Sequence, residues 1–280
     1  MDSRFNSPAE IASLVSKSGV TKSMLSLPKM ILLGLMAGAF IAFGGAASDV
    51  AMHGVADVGL ARVVAGVIFP VGLMLVVFTG SELFTGNCLM IIPTLEKKIK
   101  PVSMIKNLVV VYISNFIGAM IIDLLITFSG QLNYSNGGLG AFTIKVALAK
   151  TTINPATAIV SGILCNILVC LAIVMATGAT DAIGKIFGVF FPICAFVVCG
   201  FEHCVANMFY IPTGVMAAMN PEYVAKAQEL YGITAQQCQN LASLSGCESL
   251  LFVTIGNIIG GMVFVGLPLY FAYIRKKKSA

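Results

Sequence analysis

The 280-residue sequence is poor in charge: only 10% of its residues are Asp, Glu, Lys or Arg, and 58% are hydrophobic. Soluble domains carry about 25% charged residues. A soluble core cannot absorb that apolar excess, so the class is membrane. A G-x-x-x-x-G-K-[ST] loop is missing, as is a soluble stretch to hold one, which argues against ATP-driven transport. Also missing is the metal pattern C-x-x-C. Six of the eight cysteines, Cys88, Cys165, Cys170, Cys194, Cys199 and Cys204, lie in apolar stretches as small hydrophobes. Cys238 and Cys247 precede the last helix and can pair if the compartment is oxidising. With two histidines and no nucleophile–base set, neither an enzyme nor a cofactor or metal site is expected. No cleavable signal is expected either, because the first 27 residues are polar and no A-x-A-like site follows the apolar run from Met30.

A spanning helix needs about 20 apolar residues. Such runs lie near 30–47, 61–93, 104–128, 155–178, 186–219 and 249–273. The second and fifth are over-long and interrupted, by Gly80-Ser81-Glu82 and by Gly200-Phe201-Glu202-His203. Each is either two close helices or one crossing broken into two halves. The halves look too short to span alone, so the broken crossing is preferred, giving six spans in an all-α protein. Ser7-Pro8-Ala9-Glu10 is a capping box ahead of Ile11, Leu14 and Val15. It predicts a short amphipathic helix lying at the surface or on a neighbouring subunit. The expected organisation is an N-terminal segment 1–28, a six-helix membrane domain 29–274 and a basic tail 275–280.

With six spans, both termini and the even-numbered loops share a face. That face holds Arg4, Lys17, Lys22, Lys29, Lys97, Lys98, Lys100, Lys106, Lys185, Arg275 and the run Lys276 to Lys278, against Arg62, Lys145, Lys150 and Lys226 opposite. The positive-inside rule puts both termini in the cytoplasm. It also explains the net charge of +5 without a nucleic-acid partner.

The chain repeats itself. Gly80-x-Glu82-x-x-x-x-Asn87 recurs as Gly200-x-Glu202-x-x-x-x-Asn207, behind Phe69-Pro70 and Phe191-Pro192. Asn115-Phe116-Ile117-Gly118 echoes Asn257-Ile258-Ile259-Gly260. Three spans is an odd number, so the two copies must be inverted. Inverted repeats with matching broken helices point to a transport site at the membrane midplane.

Backbone groups freed at a break need partners in hydrocarbon. Glu82 and Glu202 are expected to accept from freed N–H groups, with Asn87 and Asn207 completing the brace. The other reading is that a glutamate carries a proton. The new helix N-termini favour anions; equally, the bends could simply thin the helix for a neutral solute. His203 has no counterpart in the first repeat, where Leu83 stands. Its imidazole, with an ordinary pKa near 6.5, can donate a proton or a hydrogen bond to an anion. Moving a small bare ion into low dielectric costs on the order of 20 kcal/mol in the idealised limit. A hydrogen bond to a charged group returns only about 1.5–3 kcal/mol. A narrow apolar pore with one histidine therefore suits protonation of the anion in transit.

At Phe69-Pro70-Val71-Gly72-Leu73, at Gly80-Ser81-Glu82-Leu83-Phe84-Thr85-Gly86-Asn87, at Gly200-Phe201-Glu202-His203-x-x-Ala206-Asn207-Met208 and at Gly256 to Gly261, the sequence resembles the formate–nitrite transporter family, most closely its hydrosulfide channel branch. The resemblance covers nearly the whole chain. It implies a homopentamer of aquaporin-like protomers, each with its own pore, in a bacterial cytoplasmic membrane. It also implies His203 as the central pore histidine and Thr85 as its hydrogen-bond partner. Leu83, Val169 and Phe196 would form an outer constriction, and Leu73 and Phe84 an inner one, with Phe69 near it. Lys150 and Lys22 would mark the outer and inner mouths, and Asn166 and Asn257 would face the pore. Hydrosulfide is the first expected solute, then formate or nitrite. A neutral-solute channel and a proton-coupled symporter are the alternatives.

Overall fold

A computed structural model describes residues 5–241 and 245–275. Arg4 and Lys276 to Lys278, counted above for orientation, lie outside the described residues. Among the described residues all regular structure is helical apart from one isolated bridge, Phe5 to Ala179. Among the described residues six helices are long and apolar enough to cross a membrane: α2 (Leu27–Met52), α3 (Val58–Thr79), α5 (Pro101–Phe128), α7 (Pro155–Gly178), α8 (Ala182–Cys199) and α12 (Gly246–Ile274). Between them run α1 (Pro8–Ser23), α4 (Phe84–Leu95), α6 (Gly138–Thr151), α9 (Cys204–Ala217), α10 (Pro221–Tyr231) and α11 (Ala235–Leu241). Six crossings bring both ends of the chain to one face, here the terminal face; the other is the distal face.

Local sequence sets the helix ends. α1 begins with the complete capping box, Ser7 and Glu10 bonding each other's backbone. The Ser7 hydroxyl, and then its N–H, hold the Glu10 carboxylate below its ordinary value. The cap's contribution is thus present above the usual carboxylate range and is lost as pH falls through the lowered value. Proline sits in the first turn of α2, α5, α7 and α10, where its missing N–H costs nothing. α3 kinks at Phe69-Pro70. Both breaks begin at a glycine in the left-handed region, Gly80 at φ 68° and Gly200 at φ 72°, where a Cβ would be strained.

The broken crossings differ from expectation in one respect. Their first limbs, α3 with 22 residues and α8 with 18, are long enough to span by themselves. The breaks therefore come late in each crossing, and α4 and α9 are the shorter pieces. The Glu82 N–H reaches the carbonyl of Leu33, six residues into α2, and the Glu202 N–H reaches the Ser161 hydroxyl, six residues into α7. At 1.5 Å per residue each break lies roughly 9 Å in from the start of its partner helix, the two approaching the midplane from opposite sides.

The halves pack alike. α2 crosses α5, and α7 crosses α12. A Cβ on Gly118 would run into the carbonyl oxygen of Leu35, and one on Gly260 into that of Ile163. The closeness of these crossings is what brings Asn115 and Asn257, three residues before those glycines, to the breaks. Gly118→Ala and Gly260→Ala are each expected to destabilise by about 1–3 kcal/mol, since backbone must shift to admit the methyl. Equal losses in thermal melts of the detergent-solubilised protein would confirm that the two crossings are equivalent; unchanged melts would refute it.

α1 packs on its own chain. Ile11 and Val15 join Leu89, Ile92 and Val265 in a cluster at the terminal face, Gly19 sits against Pro93, and Ser16 bonds Glu96. Cys238 is buried and Cys247 exposed, and both thiols are free.

Candidate functional site

The two breaks are braced by the same set of contacts. Asn115 Oδ1 accepts the Phe84 N–H at 3.0 Å, and its Nδ2 donates to the carbonyls of Gly34 and Glu82 at 2.8 and 2.9 Å. In the other half Asn257 Oδ1 accepts the Cys204 N–H at 2.9 Å, and its Nδ2 donates to Gly162 and Glu202 at 2.8 and 2.9 Å. The freed backbone is thus satisfied largely by asparagines of the third and sixth spans. Correspondingly, Glu82 and Glu202 do not accept backbone N–H groups as expected. Glu82 takes the Lys22 ammonium at 2.6 Å and Asn87 Nδ2 at 2.7 Å; Glu202 takes Lys150 at 2.6 Å and Asn207 Nδ2 at 2.8 Å. A carboxylate is better matched by an ammonium than by one amide when buried this deeply.

The symmetry runs further than the sequence motif. Lys22 stands five residues before α2, as Lys150 stands five before α7. Asn107 donates to the Lys22 carbonyl and Ser249 to the Lys150 carbonyl. Each half is therefore a four-helix unit that supplies its own lysine from the helix before its first span.

The breaks meet at the centre. Thr85, at the start of α4, and His203, the residue capping α9, lie with Oγ1 and Nε2 2.9 Å apart, both buried. His203 Nδ1 accepts the Ala206 N–H at 3.0 Å. In the neutral ring the hydrogen is then on Nε2 and is donated to Thr85 Oγ1. That leaves the Thr85 hydroxyl hydrogen free for a third group. Asn166 is buried and donates to the carbonyls of Thr85 and Asn257. Asn166 and Asn257 therefore tie the frame together at mid-depth and do not stand at a mouth.

A vestibule of about 360 Å³ opens at the distal face and ends at Phe69, Phe196 and His203. Arg62, Lys145 and Lys150 line it, with Asp49, Glu202 and Tyr210. The Phe69 and Phe196 rings meet edge to face, centroids 5.5 Å apart. Phe69 thus stands beside Phe196 at the end of the distal vestibule and not beside Leu73 and Phe84 as expected: the Pro70 kink lies midway along α3 and sets that ring against α8. Leu73, Leu83, Phe84 and Val169 are all buried and do not line the vestibule. Leu83 directly follows Glu82 at the terminal-side break, and Val169 lies three residues beyond Asn166 along α7, so both sit on the terminal side of His203, not in an outer ring. At the terminal face Lys22 lines a pocket of about 40 Å³ with Gly86 and Thr177.

Sequence reasoning missed Asn115 as a brace, although its repeat with Asn257 was in view, and it missed Arg62 and Lys145 in the vestibule. The signal for both lysines and the arginine was the same: basic residues on the face where few occur.

The family profile for "Formate/nitrite transporter" matches residues 9–271. The chain is 38% identical to a probable formate transporter of Methanothermobacter thermautotrophicus, over 99% of this chain and 100% of that one. It is 33% identical to the formate channel FocA of Escherichia coli (strain K12), over 96% and 95%. Among solved structures it is similar to a pentameric formate channel with formate bound, with TM-score 0.81, 31% identity, and 89% of this chain and 98% of that one covered. It is also similar to an FNT family ion channel, with TM-score 0.78, 27% identity, and 94% and 98% covered. A braced, twice-broken six-span frame, a profile match over residues 9–271 and relatives of full length agree: the chain belongs to the formate/nitrite transporter family.

Proposed function

We propose that this protein is a channel for a small monovalent anion, with one pore in each protomer of a pentamer, set in the cytoplasmic membrane with both termini cytoplasmic. The observation that carries this is the pairing of Thr85 with His203 at the apolar end of a vestibule lined by three cations. Arg62, Lys145 and Lys150 concentrate anions at the distal mouth. Beyond His203 the path is walled by Leu73, Leu83, Phe84 and Val169, where a hydrated ion loses water without replacement. The solute crosses that stretch as its neutral acid. His203 holds the Thr85 oxygen, so that the hydroxyl hydrogen is presented to the solute. Formate, the solute of the named relatives, and hydrosulfide, suggested by the sequence motifs, are both conjugate to weak acids and fit this scheme.

The test is flux into proteoliposomes, comparing formate, hydrosulfide, nitrite and glycerol from pH 5 to 9. Passage of the anions with exclusion of glycerol is expected, and the fastest ion names the physiological class. Passage of glycerol alone would overturn the reading. Thr85→Val is expected to cut anion flux roughly tenfold, the worth of one hydrogen bond of about 1.4 kcal/mol. Unchanged flux would remove Thr85 from the path.

A further inference from the structure

Most polar groups of the vestibule are already engaged. Both Glu202 oxygens are taken, by Lys150 and Asn207, and both His203 nitrogens, by Ala206 and Thr85. Two side chains lining it are each more than nine-tenths buried yet keep an oxygen without a partner: Asp49 Oδ2 and Asn207 Oδ1. Asp49 stands near the distal end of α2. The repeat register that pairs Lys22 with Lys150 and Gly34 with Gly162 pairs Asp49 with Thr177, which lines the small terminal pocket. The carboxyl group is therefore a departure from the symmetry of the frame, confined to the larger vestibule.

We propose that Asp49 is the vestibule's proton donor, protonating the entering anion, and that Asn207 Oδ1 receives the neutral acid so formed. The inference rests on the reading above that the solute crosses as its neutral acid. Asp49 lines the cavity whose cations hold an anion in place, and in its protonated form it is a donor there. Its O–H bond breaks and an X–H bond forms on the anion, giving HX and the Asp49 carboxylate. A proton from the water of the open vestibule then restores the acid. HX carries a hydrogen to donate, and Asn207 Oδ1 is an unpartnered acceptor on the same wall. The charged and titratable groups facing Asp49 across the cavity are Arg62 from α3, Lys145 and Lys150 from α6, Glu202 and His203 at the break, and Tyr210 from α9. His53, one turn further along α2, is engaged with the Val50 carbonyl and Ser135. The cations stabilise the carboxylate once the proton has left, while Glu202 is already paired.

The experiment is formate flux into proteoliposomes of the full chain at pH 5 and pH 7, for wild type, Asp49→Asn and Asp49→Glu. Asp49→Asn is expected to lose at least tenfold at pH 7, where free formic acid is scarce, and little at pH 5, where solution supplies it. Asp49→Glu is expected to keep the wild-type profile. An Asp49→Asn profile that superimposes on wild type overturns the proposal, as does an equal loss at both pH values in protein that elutes as the wild-type oligomer. If Asp49→Asn fails to elute so, Asp49→Ser takes its place under the same criteria. Absence of anion flux in wild type would instead overturn the channel reading itself.

Discussion

Replacing Asn257 by leucine, which keeps the side chain's shape, will cost the fold about 2–6 kcal/mol. The Cys204 N–H and the Glu202 carbonyl both lose their partner inside the bundle, and each buried group left unsatisfied costs about 1–3 kcal/mol. The Gly162 carbonyl lies within α7 and suffers less. In a fold whose whole stability is on the order of 5–15 kcal/mol, that is enough to deplete folded protein. The same substitution at Asn115 strands the Phe84 N–H and the Glu82 carbonyl and is expected to cost the same. Thermal melts and oligomer yield in detergent check both. A large loss at one position and none at the other would mean that the two breaks are not held in the same way.

The second large effect falls on charge. Lys150→Met leaves Glu202 buried without its cation, 2.6 Å away in the native protein. Breaking a buried pair by removing one partner costs about 3–5 kcal/mol. Anion flux will fall as well, because the mouth loses one of its three cations. The double variant Lys150→Met, Glu202→Gln removes the stranded charge, so stability is expected to return while flux stays low. The glutamine can still accept from Asn207. Recovery of both would mean that Lys150 serves the fold alone; recovery of neither would mean that the ammonium is needed for more than neutralisation. Lys22 and Glu82 form the matching pair at the terminal face.

Much of this frame was legible in the sequence because a membrane leaves few choices. Hydrophobic runs fixed the spans, and the twin Gly-x-Glu-x-x-x-x-Asn strings marked the breaks, since intramembrane acids are too costly to occur twice in register by chance. What could not be read was who satisfies whom. Glu82 and Glu202 looked like the natural acceptors for freed N–H groups, but their partners are lysines from helices outside the spans, distant in sequence. Asn115 carried its signal in the repeat with Asn257, yet its role depends on the Gly118 crossing that lets α5 approach α2 closely enough for its amide to reach Gly34. Phe69 and Phe196 lie on different repeats at unmatched positions, so only the kink at Pro70 reveals that their rings meet.

The near-palindromic frame has a consequence for the direction of flow. Matching lysine–glutamate–asparagine clamps hold both breaks in the same way, so the braced scaffold itself has no built-in valve. Rectification, measured as unequal uptake and efflux under mirrored gradients, must arise where the halves diverge: His203 against Leu83, Asp49 against Thr177, and a roomy distal chamber against a tight terminal one. Exchanging the members of those pairs should tilt the ratio of inward to outward flux while leaving the braces untouched.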